Sequence, residues 1–156
     1  MTQPLSAVFD CTVLVQALVN PEGPAGACLV AAQEGRVRLF VSDFVIREIH
    51  ELPRKLPARL GVTHERVFTF ILDLAKCTEP IENVPQRFTY ERDPDDAHYV
   101  NLADAANASF LVSRDKDLLD LSKDEAFKRR FPNLRITDPP QFLRELESAL
   151  SREKRE

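Results

Sequence analysis

Leu5-Ser6-Ala7-Val8-Phe9-Asp10 is a short apolar run closed by a carboxylate, and Val13-Leu14-Val15-Gln16-Ala17-Leu18-Val19 follows almost at once. The first run is too short for a helix and reads as a buried strand; the second reads as a helix capped by Thr12. A strand passing directly into a helix is the opening half of a βαβ unit, whose strands lie parallel. The alternation continues outward from this stretch. Asn20-Pro21-Glu22-Gly23-Pro24 is a turn, because its prolines and glycine forbid a continuing helix. Residues 25–34 read as a helix ended by Gly35, and Val37-Arg38-Leu39-Phe40-Val41 as a strand. Ser42 caps a helix carrying Val45, Ile46, Ile49 and Leu52, with Pro53 near its end.

Thr63 and Arg66 flank the start of an amphipathic helix that runs to about Lys76 and buries Val67, Phe70, Ile71 and Leu74. Residues 79–90 are irregular, with room for one short strand. Asp95 or Asp96 opens a helix through Tyr99, Leu102, Ala103 and Ala106. Phe110-Leu111-Val112-Ser113 reads as a strand, Asp117-Leu118-Leu119 as a helical turn and Leu134-Arg135-Ile136 as the last strand. A final helix covers about 141–150 behind Pro139-Pro140. The expectation is an α/β fold, a three-layer sandwich with a central, mainly parallel sheet, formed as a single domain over 1–150 with a charged, frayed tail at 151–156.

At 156 residues, with 44% apolar and 29% charged residues, the chain has the profile of one folded globular domain. Its 21 basic and 25 acidic residues leave a net charge of −4, which gives no support for strong nonspecific binding to nucleic acid. Cys11, Cys28 and Cys77 are odd in number and lack close metal-type spacing, so they read as reduced, mostly buried thiols. There is no basic start leading into an apolar core of a signal peptide, and no apolar run approaches the roughly 20 residues that span a bilayer. No membrane association is expected, and the cytoplasm is the expected location.

Four acids fall at separate junctions between these elements: Asp10 after the first strand, Glu48 on the Ser42-capped helix, Asp96 in Asp93-Pro94-Asp95-Asp96, and Asp115 in Ser113-Arg114-Asp115-Lys116-Asp117. Taken singly, each is as readily a helix cap or dipole partner. Together, the strand ends near 10, 41 and 113 would deliver them to one crevice at the C-terminal edge of the sheet, where open α/β sheets build their sites. Clustered carboxylates repel unless a cation neutralises them, and oxygen-only ligands suit Mg²⁺ or Mn²⁺. The pattern points to a divalent-metal site and to phosphodiester chemistry.

In these motifs the chain resembles the PIN-domain ribonucleases, and more narrowly the VapC-like toxin components of bacterial toxin–antitoxin systems. Phe9-Asp10-Cys11-Thr12-Val13-Leu14-Val15 is similar to the family's opening Asp-Thr-Asn-Val motif, and Glu48, six residues after Ser42, to its helix-borne glutamate. Asp93-Pro94-Asp95-Asp96 before an Ala-rich helix matches its third motif, and 111–119 its fourth. Asp138-Pro139 ahead of Phe142-Leu143 resembles its last strand-to-helix turn. The resemblance implies that Asp10, Glu48, Asp96 and Asp115 are catalytic and bind the metal, with Asp96 preferred to Asp95. It gives Asp93 and Asp117 accessory roles, and Ser113 a hydroxyl for a water or an acid. It also implies metal-assisted hydrolysis of RNA with an activated water as nucleophile, an antitoxin partner and a possible homodimer. Thr12 departs from the family pattern, standing where Asn is usual; it keeps a hydroxyl but has no amide NH₂.

Arg114, between Ser113 and Asp115, is placed to pair with a substrate phosphate or with a neighbouring carboxylate. Two basic groups, Arg47/Arg54/Lys55/Arg59 and Lys123/Lys128/Arg129/Arg130, are interleaved with acids and read as solvated helix faces rather than an RNA path. His50, His64 and His98 share no metal spacing, and His98 reads as exposed or capping. Phe40, Phe68, Phe70 and Phe110 read as core packing. The competing function is a PIN fold with weak or no catalysis that binds RNA or protein. Asp10-x-Thr12 lacks the second Asp of a haloacid-dehalogenase-type phosphatase, and no strand supplies the lone acceptor Asp of a receiver domain.

Overall fold

The computed structural model describes residues 3–155. The strand reading of the opening stretch holds: β1 is Leu5–Phe9. The helix α1, Cys11–Val19, starts earlier than the apolar pattern suggests, because its N-cap is Asp10, whose carboxylate accepts from the Val13 amide. Thr12 therefore sits inside the first turn rather than capping it. Pro24 occupies the first turn of α2, Pro24–Gln33, where its missing N–H is no loss. Gly35, at φ +80°, ends α2 with the paired bonds Arg36 N–H to Ala31 O and Gly35 N–H to Ala32 O, a Schellman closure.

β2, Val37–Val41, leads into α3, Asp43–His50, capped as expected by Ser42. A short α4, Leu52–Lys55, and a 3₁₀ turn at Ala58–Leu60 connect to α5, His64–Lys76, which is capped by Thr63. β3 is the edge strand Thr78–Pro80. α6, Pro94–Ala105, is capped by Asp93 rather than by Asp95 or Asp96, with Pro94 at its first position. β4 (Phe110–Val112), α7 (Lys116–Leu121), α8 (Glu125–Arg130) and β5 (Arg135–Thr137) follow. α8 has no counterpart in the apolar pattern, since Phe127 alone of its residues is buried. The last helix, α9, spans Pro139–Arg155, so 151–155 is helical rather than frayed.

All strand pairs are parallel, in the order β3-β2-β1-β4-β5. Successive strands are added on one side of β1 and then on the other, and the right-handed rule for parallel crossovers puts helices on both faces of such a sheet. α9 covers one face through the fully buried Phe142, whose ring meets Phe9 at 5.9 Å and Phe110 at 5.3 Å, both edge-on. α6 crosses β1, β2 and β4 on the other. Strand order reverses between β1 and β4, and Asp10 N–H bonds to Val112 O (3.0 Å) across that seam. The crevice outside this reversal is the site such a sheet offers. Among the phenylalanines read as core, Phe40, Phe70 and Phe110 are buried, but Phe68 is 59% exposed on the outer side of α5. Ile71 is half-buried rather than core.

Candidate active site

Asp10 is the best-anchored acid of the crevice. It is 2% exposed. One oxygen accepts from the Thr12 hydroxyl (2.5 Å) and the Val13 amide (3.1 Å), the other from the Ser113 hydroxyl (2.5 Å). Each hydroxyl is itself oriented from β4's far end: Arg114 N–H donates to Thr12 Oγ1 (3.0 Å) and Asp115 N–H to Ser113 Oγ (2.8 Å). Two relays thus run from the segment after β4 onto the two oxygens of one carboxylate. Burial still wins, raising the Asp10 pKa to about 6 against the hydrogen bonds from Ser113, Thr12 and Val13, with Asp115 adding repulsion.

Asp93, Asp96 and Asp115 come together more closely, each offering an oxygen within 4.8 Å of the others. Local chain chemistry explains the placement of two of them. Asp93 caps α6 by accepting from the Asp95 and Asp96 amides, and Asp115 caps α7 by accepting from Asp117 N–H. Asp96, on the first turn of α6, is 6% exposed, and its Oδ2 is buried without any hydrogen-bond partner. Its pKa is raised to about 8, first by burial and then by Asp115, Asp93, Asp10 and Asp117. Among the described residues no Lys or Arg pairs with Asp93, Asp96 or Asp115. A hard donor set, uncompensated charge and an orphaned oxygen fit a divalent cation such as Mg²⁺ or Mn²⁺.

The remaining sequence candidates are placed differently. Glu48 turns to Lys55 (3.3 Å) at the rim and stands outside the three-acid group. Asp117 is held by Arg92 (2.5 Å), which also reaches Asp120 (3.5 Å). The Arg114 side chain is exposed, and its charge acts on the buried Cys28 thiol alongside Asp138. The three cysteines are free, and burial pushes Cys11 and Cys28 up to about 12.

Several residues around the crevice escape a reading by motif. Arg92 had no motif to mark it. His98 is half-buried rather than exposed: its Nε2 meets Ser42 Oγ (2.8 Å), its ring lies against Phe44 (4.2 Å), and burial lowers its pKa, helped by Arg47. Tyr99 is buried one turn after Asp96 on the same face of α6, a spacing of three that helical periodicity does expose.

Comparison with known proteins agrees with this architecture. The chain is 29% identical over 150 residues to an uncharacterized protein of Methanocaldococcus jannaschii, MJ1680, covering 94% of this chain and 95% of that one. Its fold is similar to a chain in the crystal structure of VapBC2 from Rickettsia felis bound to a promoter DNA fragment, with TM-score 0.53 at 16% identity, covering 86% of this chain and 98% of that chain. The model of the PIN-domain family matches residues 6–117, which take in all but the first residue of β1, every acid of the crevice and the reversal of strand order; the chain belongs to the PIN-domain family.

Proposed function

We propose that the protein is a metal-dependent endoribonuclease that hydrolyses RNA phosphodiester bonds and serves as the toxin of a toxin–antitoxin pair. The single observation that carries this reading is that Asp96, whose Oδ2 is buried and unpartnered, comes together with the Asp93 and Asp115 carboxylates while no Lys or Arg among the described residues pairs with the three. PIN domains are generally nucleases that use divalent metals, and this crevice has the donors for one. Asp93, Asp96 and Asp115 would hold Mg²⁺ or Mn²⁺, with Asp10 beside them. Such an ion supplies Lewis acidity and an activated water for in-line attack on phosphorus.

The chain's own residues supply orientation. Ser113 and Thr12 hold the Asp10 carboxylate in one rotamer through the two relays, so its oxygens do not reorganise as charge develops. Thr12 occupies the family's usual Asn position and still donates to Asp10 and accepts from the Arg114 amide, which supports retained rather than lost activity. Arg92, half-exposed at the rim beside Asp117, is a candidate to meet a substrate phosphate in addition to Arg114.

An antitoxin partner is proposed from the resemblance and from the VapBC2 neighbour, and the cytoplasm as the place of action. No single helix among the described residues is long and apolar enough to cross a membrane. Phe68 and Leu72, exposed a turn apart on α5, are the apolar surface a homodimer would use. The competing reading, an RNA- or protein-binding PIN fold without useful catalysis, is favoured by the engagement of Glu48 with Lys55 and of Asp117 with Arg92.

Cleavage of a mixed single-stranded and structured RNA pool in Mg²⁺, Mn²⁺ or EDTA decides between them. Metal-dependent cutting that disappears in both Asp10→Asn and Asp96→Asn is expected. Cutting in EDTA, or cutting that survives both variants, would overturn the assignment; metal binding without cutting would favour the binding module.

A further inference from the structure

β5 leaves one side of the sheet open: it is the last strand in the order, and nothing among the described residues pairs with its outer edge. The ladder to β4 fixes which groups face outward. Arg135 N–H bonds to Ser109 O (2.9 Å) and Thr137 O accepts from Ser113 N–H (2.9 Å), so both residues turn their backbone toward β4. Alternation along the strand then points the N–H and C=O of Ile136 away from the sheet. The opposite edge is managed differently. On β3 the bond from Ile81 N–H to Val41 O turns Pro80 outward, and proline has no N–H to offer there. β5 has no such guard.

The space outside β5 is a groove of about 440 Å³. Phe127, Pro132, Leu134 and Ile136 give it an apolar wall, and among the described residues Lys128 and Arg135 line it while no acid does. Residues 123–135 hold five basic side chains (Lys123, Lys128, Arg129, Arg130, Arg135) and two acidic ones (Asp124, Glu125), in a chain whose net charge is −4. Lys128 meets Glu125 at 3.5 Å in an exposed pair that is readily exchanged. Thr137, at the same groove, is 2% exposed, and its Oγ1 makes no hydrogen bond. Unpaired backbone, an apolar wall, positive charge and an orphaned hydroxyl therefore meet in one place.

We propose that this edge is a docking site for an extended segment of a partner polypeptide in which apolar and acidic residues alternate. The segment adds to the five-stranded sheet as a further strand, its backbone meeting the Ile136 N–H and C=O. Its apolar side chains pack on the wall, and its acids meet Lys128 and Arg135. A nucleic acid strand would use the two cations but leave the strand edge and the wall unmatched. A second copy of this chain, edge to edge, would set one basic groove against another. The inference does not depend on the metal-binding reading of the crevice.

The test follows the amides of the full ¹⁵N-labelled chain by NMR as a short blocked peptide of alternating glutamate and valine is added. The expected result is a shift of the signals along β5, with solvent exchange of the Ile136 amide slowed about tenfold or more at saturation. Lys128→Glu, a change at an exposed position, should weaken this peptide about fivefold and strengthen its lysine–valine counterpart. A glutamate–valine peptide N-methylated along its pairing edge should bind about tenfold more weakly, with the protein itself unaltered. An Ile136 amide that gains no protection, equal binding of the two peptides to wild type, or full binding of the N-methylated form would each overturn the proposal. So would tighter binding of a short oligouridylate at the same amides, which would make the groove a nucleic-acid path. Ile136 protection that grows with protein concentration in the absence of peptide would make the edge a contact between copies and overturn it as well.

Discussion

Replacing Asp96 by Asn should stabilise the metal-free protein, and the gain should grow with pH. The Asp96 carboxyl titrates near 3.8 in an unfolded chain but at about 8 in the fold, because burial and then Asp115, Asp93, Asp10 and Asp117 oppose its ionisation. Between those values the folded state binds a proton that the unfolded state has released, so wild-type stability falls as pH rises and levels off above about 8. The full offset, at about 1.4 kcal/mol per pH unit, sets a ceiling of about 6 kcal/mol. Solvent at the mouth of the crevice screens part of this repulsion, so about 2–3 kcal/mol is the expected size. Asn at 96 removes the titration and can donate its amide to Asp93 or Asp115, both close by. Asp96→Asn and wild type should therefore melt together near pH 4 and separate by about 5–10 °C at pH 8 in EDTA. Excess Mn²⁺ should close the gap by stabilising wild type alone. Equal melting temperatures at pH 8, a gap independent of pH, or a less stable Asn variant would refute the claim that Asp96 is an uncompensated buried acid.

Ser113→Ala cuts the relay from Asp115 N–H to Asp10, and urea unfolding should show a loss of about 1–3 kcal/mol. Because the Ser113 bond is the largest influence lowering the Asp10 pKa, that pKa should rise above about 6 in the variant, visible by NMR titration. Gly26→Ala should cost about 3 kcal/mol or more in the same assay: a Cβ there would meet the Pro21 carbonyl oxygen at 2.0 Å, and backbone cannot yield as a side chain would. Arg92→Ala breaks only solvent-exposed pairs and should change stability by less than about 1 kcal/mol. Removing its positive charge beside the acids should tighten Mn²⁺ binding in calorimetry; weaker binding would show that Arg92 holds Asp117 in a required position.

The fold was legible from the opening stretch because period and punctuation agreed there. Leu5–Phe9 and Val37–Val41 are mostly apolar and are buried on both faces over their last three residues, with Ser6 and the exposed Arg38 near their starts, and Gly35, Ser42 and Thr63 mark helix ends by mechanisms that need no tertiary contact. The helix starts misplaced in sequence share one cause. Asp10 and Asp93 are caps as well as crevice acids, and a motif credits each with a single task, which leaves Thr12, Asp95 or Asp96 as the apparent caps. α8 was invisible for a different reason: with one buried phenylalanine it has no stripe, and Asp124 and its basic last turn are what mark it. The outer end of α9 looked frayed by charge alone, yet 151–155 consists of residues compatible with a helix already nucleated by the buried Phe142 and Leu146.

The same double duty explains how the crevice is built and why its membership could be read only in part. A cap carboxylate is held in place by backbone N–H groups, so Asp10, Asp93 and Asp115 are positioned by their own helices at almost no extra cost in order. Asp96 differs, because its amide is used by Asp93 but its own Oδ2 has no partner; it is the acid that local structure does not explain. Sequence motifs weight all these acids alike, whereas the structure separates those anchored by caps from the one left uncompensated. Glu48 falls outside both classes: half-buried on α3, it is neither a cap nor unpartnered, because Lys55 reaches it at 3.3 Å. Whether the crevice gathers four acids or six is therefore decided by side chains that no motif names, Lys55 and Arg92, which hold Glu48 and Asp117. A cation entering the crevice would have to compete with Lys55 for Glu48 and with Arg92 for Asp117, and that competition is where the strength of the site is set.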